Sequence, residues 1–284
     1  MRSFLALSFS LVATLSLAAD AVEKPAAAAA GPAMPWKTSY ATALKDAESA
    51  KKPILFDFHT GWCPHCTRMD KTTWQDTALV ELASKSFVVA KINADVEKAP
   101  VSRYRLSGFP TVIIAEPGGD QVLRLEGYKD AAAISAALKA YVASADRLTP
   151  AFATLRTDKK NADALMVIGS FNARVGLHDQ AADSFLKAMK SSTGPALVSA
   201  SAAAGSSLVK AGKASEAEKA LKEGVAAAGD APTAPLLLAL GQCQAAQGRP
   251  DAAKAYFSQL QAAFPSSPEA AEAKKALPAP APAG

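Results

Sequence analysis

Two cysteines separated by two residues, Cys63 and Cys66 in Gly61-Trp62-Cys63-Pro64-His65-Cys66, are the residues best suited to do chemistry in this 284-residue chain. A cysteine that opens a helix faces free backbone amides and the positive end of the helix dipole, and both stabilise a sulfur anion. Cys63 is therefore expected to be the low-pKa, accessible thiolate that attacks. Cys66, one turn further in, is expected to be shielded and to act as the resolving thiol that displaces whatever Cys63 has captured. The spacing lets the two close a disulfide with little backbone movement. A zinc site would need two more ligands, and only Cys243, His59, His65 and His178 remain; haem attachment would need a histidine directly after Cys66, where Thr67 stands. No metal and no cofactor beyond the Cys63–Cys66 disulfide is expected.

The elements around the pair alternate between strand and helix. Ile54 to Phe58 forms a short apolar run that predicts a buried strand, and a helix then runs from Cys63 toward Lys85 with a break near Thr72 to Asp76. Phe87 to Ile92 predicts a second strand, Lys98 to Tyr104 a short helix and Thr111 to Ala115 a third strand. The turn cluster Pro117-Gly118-Gly119-Asp120 joins that strand to Val122–Leu125 as a hairpin, and Asp130 suits the N-cap of a helix over Ala131–Ala143. Strand-helix-strand followed by strand-strand-helix implies an α/β sandwich.

This arrangement resembles the thioredoxin superfamily across about residues 36–145. Asp57 lies six residues before Cys63 in an Asp-Phe setting, as the buried acid of that family does, and Lys91 in Ala90-Lys91-Ile92-Asn93-Ala94-Asp95 matches the lysine that faces it. Gly108-Phe109-Pro110-Thr111 matches the loop bearing the family's cis proline, 19 residues after Lys91, and Gly127 matches a later family glycine. The resemblance implies that Asp57 accepts or relays the proton of Cys66, that Lys91 partners Asp57, and that Trp62, Phe109 and Pro110 meet the substrate chain. Pro64 and His65 depart from the thioredoxin dipeptide. The same pair occurs in the periplasmic disulfide-donating family, and a histidine there favours the thiolate and a more oxidising disulfide. Trp74 suits either a gate or simple packing, and His59 either thiol tuning or a surface position. Cys243 is most simply a small buried apolar residue.

Beyond about Leu148 the strand signals stop and the chain repeats itself at a shift of 36 residues. Gly169, Gly205 and Gly241 align, as do Gly176, Gly212 and Gly248, then Ala181, Ala217 and Ala253, then Phe185, Leu221 and Phe257. Such a pattern predicts three helical hairpins. The second glycine of each ends a first helix in the left-handed region, and Asp179, Ser215 and Asp251 would be the N-caps of the second helices. The repeat resembles the tetratricopeptide family over 162–267, two residues longer per copy than usual, with longer turns such as Ser191–Pro195 taking up the difference. That resemblance implies a concave partner-binding surface including Met166, Ser170, Arg174, Ser206, Lys210, Leu238 and Gln242.

At the scale of the chain, the length predicts two cores. Arg2, an apolar run from Phe4 to about Ala19 and then small residues give the order of a secretory signal over 1–21, and the run is short for a permanent anchor. Residues 22–35 read as an Ala/Pro-rich flexible leader, 36–145 as the thioredoxin-like domain, 146–161 as a linker or capping helix, 162–267 as the three repeats, 268–277 as a cap helix and 278–284 as a disordered tail. Three cysteines do not make a stapling framework. A net charge of +5 without a basic stripe argues against a nucleic-acid partner. The expectation is an exported, periplasmic thiol–disulfide oxidoreductase whose partners are client proteins with thiols or disulfides, a redox partner protein and a ligand of the repeats. Its direction, as oxidant, isomerase or reductant, stays open. The competing reading is a non-enzymatic tetratricopeptide adaptor with a redox-inactive scaffold.

Overall fold

The computed structural model describes residues 33–276; the expected signal, most of the leader and the tail lie outside the described residues. Four strands, β1 (Ile54–His59), β2 (Val88–Asn93), β3 (Thr111–Ala115) and β4 (Gln121–Glu126), form one sheet in the order β2-β1-β3-β4. β1 runs parallel to β2 and antiparallel to β3, and β4 returns antiparallel on β3. Lys37 adds a single parallel bridge to Ala90 on the outer side of β2.

Side chains alternate between the two faces of a strand, and here both faces are buried. Ile54, Phe56 and Phe58, with Ala90, Ile92 and Ile113, pack on Tyr40, Ala43 and Ala47 of α1 (Tyr40–Ala50) and on Tyr104 after α4 (Lys98–Arg103). Leu55, Val89, Val112 and Ile114 face the other way, onto α2 (Pro64–Lys71), α3 (Thr77–Ser86) and α5 (Ala131–Val142) through Met69, Leu79, Ile134 and Leu138. Asp57 and Lys91 share the parity of Leu55 and Val89, so they belong to the face that α2 covers.

Helix α1 is absent from the sequence reading, although Ser39 caps it by accepting from the Thr42 N–H and Glu97 accepts from the Tyr40 N–H. Its apolar positions 40, 43, 44 and 47 follow helical spacing, but two of the four are alanine and give a weak pattern. The expected break after Lys71 is present. Thr72 leaves the helical region, a 3-10 turn spans Thr73–Gln75, and Asp76 restarts the helix by accepting from the Leu79 N–H. Asp130 caps α5 in the same way, through the Ala133 N–H.

The rest of the described chain is helical: α6 (Ala145–Thr157), then α7 (Ala162–Arg174) with α8 (His178–Met189), α9 (Gly194–Lys210) with α10 (Ala214–Ala228), α11 (Ala234–Ala246) with α12 (Pro250–Ala263), and α13 (Pro268–Ala276). Each first helix ends at a glycine of positive φ, Gly176 at 81°, Gly212 at 78° and Gly248 at 72°. The following residue donates back five positions in each case, Leu177 to Asn172, Lys213 to Leu208 and Arg249 to Gln244, which is the Schellman closure. So tight a turn corrects the expected caps: Asp179, Ser215 and Asp251 sit inside the first turn, and the cap positions are Leu177, Lys213 and Arg249, without side-chain cap bonds. The two acids there still favour the positive end of the dipole.

The two cores expected from length are not cleanly separated. Leu148, Ala151 and Phe152 of α6 and Ala164, Ile168 and Phe171 of α7 belong to the same buried cluster as Leu55, Val112, Leu123 and Tyr141. Among the described residues, no helix is long and apolar enough to cross a membrane.

Candidate functional site

Cys63 and Cys66 are joined as a disulfide, their Cα atoms 5.3 Å apart. Cys63 is the N-cap of α2, and its backbone is extended while Pro64 opens the helix; proline suits this first position because its missing N–H would find no intrahelical partner there. The backbone N–H of Cys66 donates to Cys63 Sγ across 3.2 Å. One sulfur thus receives the field of the helix start, as N-cap geometry demands. The expected contrast in access is absent, however: Cys63 is 3% exposed and Cys66 4%. The rim accounts for this. Cys63 Sγ lies 3.5 Å from the Phe109 carbonyl oxygen, and the Trp62 and Phe109 rings stand edge to face at 6.4 Å.

Trp62 itself is 72% exposed, and Val96 is similarly open. Asp95, which sequence reasoning did not single out, fixes this rim by accepting from the Gly61 N–H at 3.1 Å and from the Trp62 indole Nε1–H at 3.3 Å. The signal for it was the turn after β2, where Ala94 N–H donates to the His59 carbonyl and brings the two loops together. The Phe109–Pro110 peptide is cis, and the Gly127 N–H donates to the Pro110 carbonyl at 2.8 Å. Pro64 and His65 are exposed on the first turn of α2.

Beneath the disulfide, Asp57 on β1 pairs in register with Lys91 on β2 and Val112 on β3. Its carboxyl is 2% exposed, and burial pushes its pKa up to about 6. The Lys91 ammonium opposes this, Asp70 adds to it, and the Trp74 indole opposes it again. Lys91 Nζ stands 3.6 Å from Asp57 Oδ2 and makes a closer hydrogen-bonded ion pair with Asp70 on α2. Asp70 was also missed, although it lies one helical turn beyond Cys66 on the same face. His59, two residues along β1, is held below the usual imidazole range, first by burial and then by Lys91. Trp74 is buried, packed edge to face on Trp36 at 5.1 Å, which makes it part of the core rather than a gate. Cys243 is buried on α11, and burial pushes its thiol up.

The sheet, its covering helices and the cysteine pair at a helix tip define a thioredoxin-like domain, and residues 40–141 match the family model of that description. Residues 208–277 match a tetratricopeptide-repeat model. Among individual relatives, the chain is 35% identical over 71 residues to protein disulfide-isomerase A4 of Homo sapiens, covering 25% of this chain and 11% of that protein. It is 30% identical over 138 residues to the protein disulfide-isomerase of Triticum aestivum, covering 47% of this chain and 26% of that one. Among solved structures, a thioredoxin from Thermus thermophilus is 27% identical with a TM-score of 0.35, covering 38% of this chain and 86% of that chain. The chain therefore spans about a quarter or less of the length of these curated relatives.

The helical part offers a second concave feature. Ser199, Ala203 and Ser206 of α9, Leu238 of α11 and Glu269 and Glu272 of α13 line a groove of about 500 Å³. Gln242 donates to Glu272 at 2.8 Å across one side of it. Of the positions expected to face the groove, Ser206 and Leu238 line it, whereas Ser170 and Arg174 line a separate cavity with Ser144 and Arg147.

Proposed function

We propose that this chain is an exported thiol–disulfide oxidoreductase that exchanges disulfides with client proteins through Cys63 and Cys66, with the helical repeats engaging a partner chain. The observation that carries the reading is the disulfide at the N-terminus of α2, with the Cys66 amide aimed at Cys63 Sγ. In the reducing direction, the Cys63 thiolate attacks a client disulfide and forms a mixed disulfide, expelling one client thiolate. Cys66 then gives up its proton, its sulfur attacks Cys63 Sγ, and the second client thiolate leaves; two electrons have passed to the client and the 63–66 disulfide remains. The oxidising direction is the same sequence reversed. Asp57 receives the Cys66 proton, a role that suits a carboxyl titrating near neutrality. Trp62, Phe109 and Pro110 supply the surface on which the client chain lies, and Lys91 stands 3.6 Å from Asp57 as its partner while that acid is ionised, before it takes the proton. The similarity to protein disulfide-isomerases supports activity on protein disulfides.

Turnover of insulin disulfides by the full chain tests this reading against Cys63→Ser. The expected result is loss of turnover in the variant, and equal rates would reject the proposal. The reduction potential of the pair then decides direction: about −270 mV, as in thioredoxin, implies a reductant, and a potential nearer about −120 mV an oxidant. Periplasmic export is supported by the order of residue types in 1–21, and is checked by the N-terminal sequence of the mature protein.

A further inference from the structure

Asp57 presents an unusual hydrogen-bond balance. Among the described residues its buried Oδ1 has no partner in ordinary hydrogen-bond geometry, the Trp74 indole standing near, and its Oδ2 meets Lys91 at 3.6 Å. A buried carboxylate needs hydrogen bonds or a close cation to remain charged. The available cation is directed elsewhere, since Lys91 Nζ donates to Asp70 Oδ1. Asp70 is partly open to solvent, with its side chain 44% exposed, whereas the Asp57 side chain is buried.

Resting on the proposed disulfide exchange, we propose that Asp70 is a positioning residue of the proton-transfer step, holding the Lys91 ammonium away from Asp57 so that Asp57 can keep and release a proton. Two effects act in the same direction. The negative charge of Asp70 disfavours a second negative charge nearby, and its hydrogen bond restrains the cation that would otherwise stabilise that charge. The other groups around Asp57 do not replace it. Trp74 brings a neutral indole that lowers the proton affinity of Asp57 rather than raising it, Val112 on β3 is apolar, Cys66 on α2 is the proton donor, and burial together with Lys91 favours neutral His59. Without Asp70, Lys91 would turn to Asp57, and the acid would ionise at lower pH and become a weaker base for Cys66.

The test is a ¹³C NMR titration of the Asp57 carboxyl in the reduced full-length chain, assigned by comparison with Asp57→Asn. Asp70→Asn is expected to lower the Asp57 midpoint by about one pH unit. Asp70→Glu, which keeps the charge on the same helical face, is expected to hold the midpoint within about 0.3 unit of the unsubstituted chain. An unmoved midpoint in Asp70→Asn, or an equal drop in both variants, overturns the proposal. The titration needs no turnover: a chain inactive on insulin defeats the proposed activity and leaves the carboxyl measurement standing, whereas an active chain with an unmoved midpoint defeats the role of Asp70 alone.

Discussion

Burial that raises the proton affinity of Asp57 also sets how the fold responds to pH. Its unfolded pKa is about 3.8 and its folded pKa about 6, so between those values the folded chain binds more protons than the unfolded one. Stability from this group is fully present below the unfolded value and is lost as pH rises through about 6. Asp57→Asn removes that loss. Denaturant unfolding at pH 4, 6 and 8 should show the variant more stable at pH 8 by on the order of 2–3 kcal/mol, with the gap closing at pH 4; a constant gap would contradict the assignment. Cys63 and Cys66 were legible from their spacing alone. The meeting of Asp57 with Lys91 came only through the resemblance, because local pattern does not say which strands are neighbours. The diversion of Lys91 to Asp70 depends on side-chain placement between a strand and a helix, which no spacing rule encodes.

Among the elements, the repeated glycine and bulky residue form an interlocking pair. A Cβ on Gly205 of α9 would collide with the Leu221 side chain of α10, as one on Gly169 would with Phe185 and one on Gly241 with Phe257. Gly205→Ala should therefore cost about 1–3 kcal/mol despite alanine's better helix propensity. Leu221→Ala should cost about 2–5 kcal/mol alone, and the double variant should cost less than the sum of the two. Additive losses in urea unfolding would refute the pairing. The 36-residue period made these columns legible, and the strands were found within one or two residues of their ends. The caps were misplaced because the Schellman closure leaves a shorter connection than a capped turn requires. Helix α1 escaped because two of its four core positions are alanine.

Over the whole molecule, the sheet's helical face continues through α6 into α7 as one buried cluster, and Arg156 of α6 pairs with Asp120 of the β3–β4 turn at 2.6 Å. The buried Glu116 carboxyl accepts from the Tyr141 hydroxyl beside that junction, and burial pushes its pKa up. Trp36, Trp62 and Trp74 all lie in the α/β part, so tryptophan fluorescence reports that part alone while helical circular dichroism reports mainly the repeats. Leu148→Ala on α6, at a fully buried position, should lower the fluorescence-detected stability by about 2–5 kcal/mol. An unchanged fluorescence transition would mean that the two parts are independent. Length alone predicted separate cores because it carries no information on how two folded parts meet. The ionisation of Cys63, on which the proposed exchange depends, is read from the pH dependence of iodoacetamide alkylation of the reduced chain, with modified residues mapped by mass spectrometry. Cys63 is expected to react before Cys66 and Cys243, with a midpoint well below the ordinary thiol value of about 8.5; a midpoint at that value, or Cys66 reacting as fast as Cys63, would contradict a thiolate held at the start of α2.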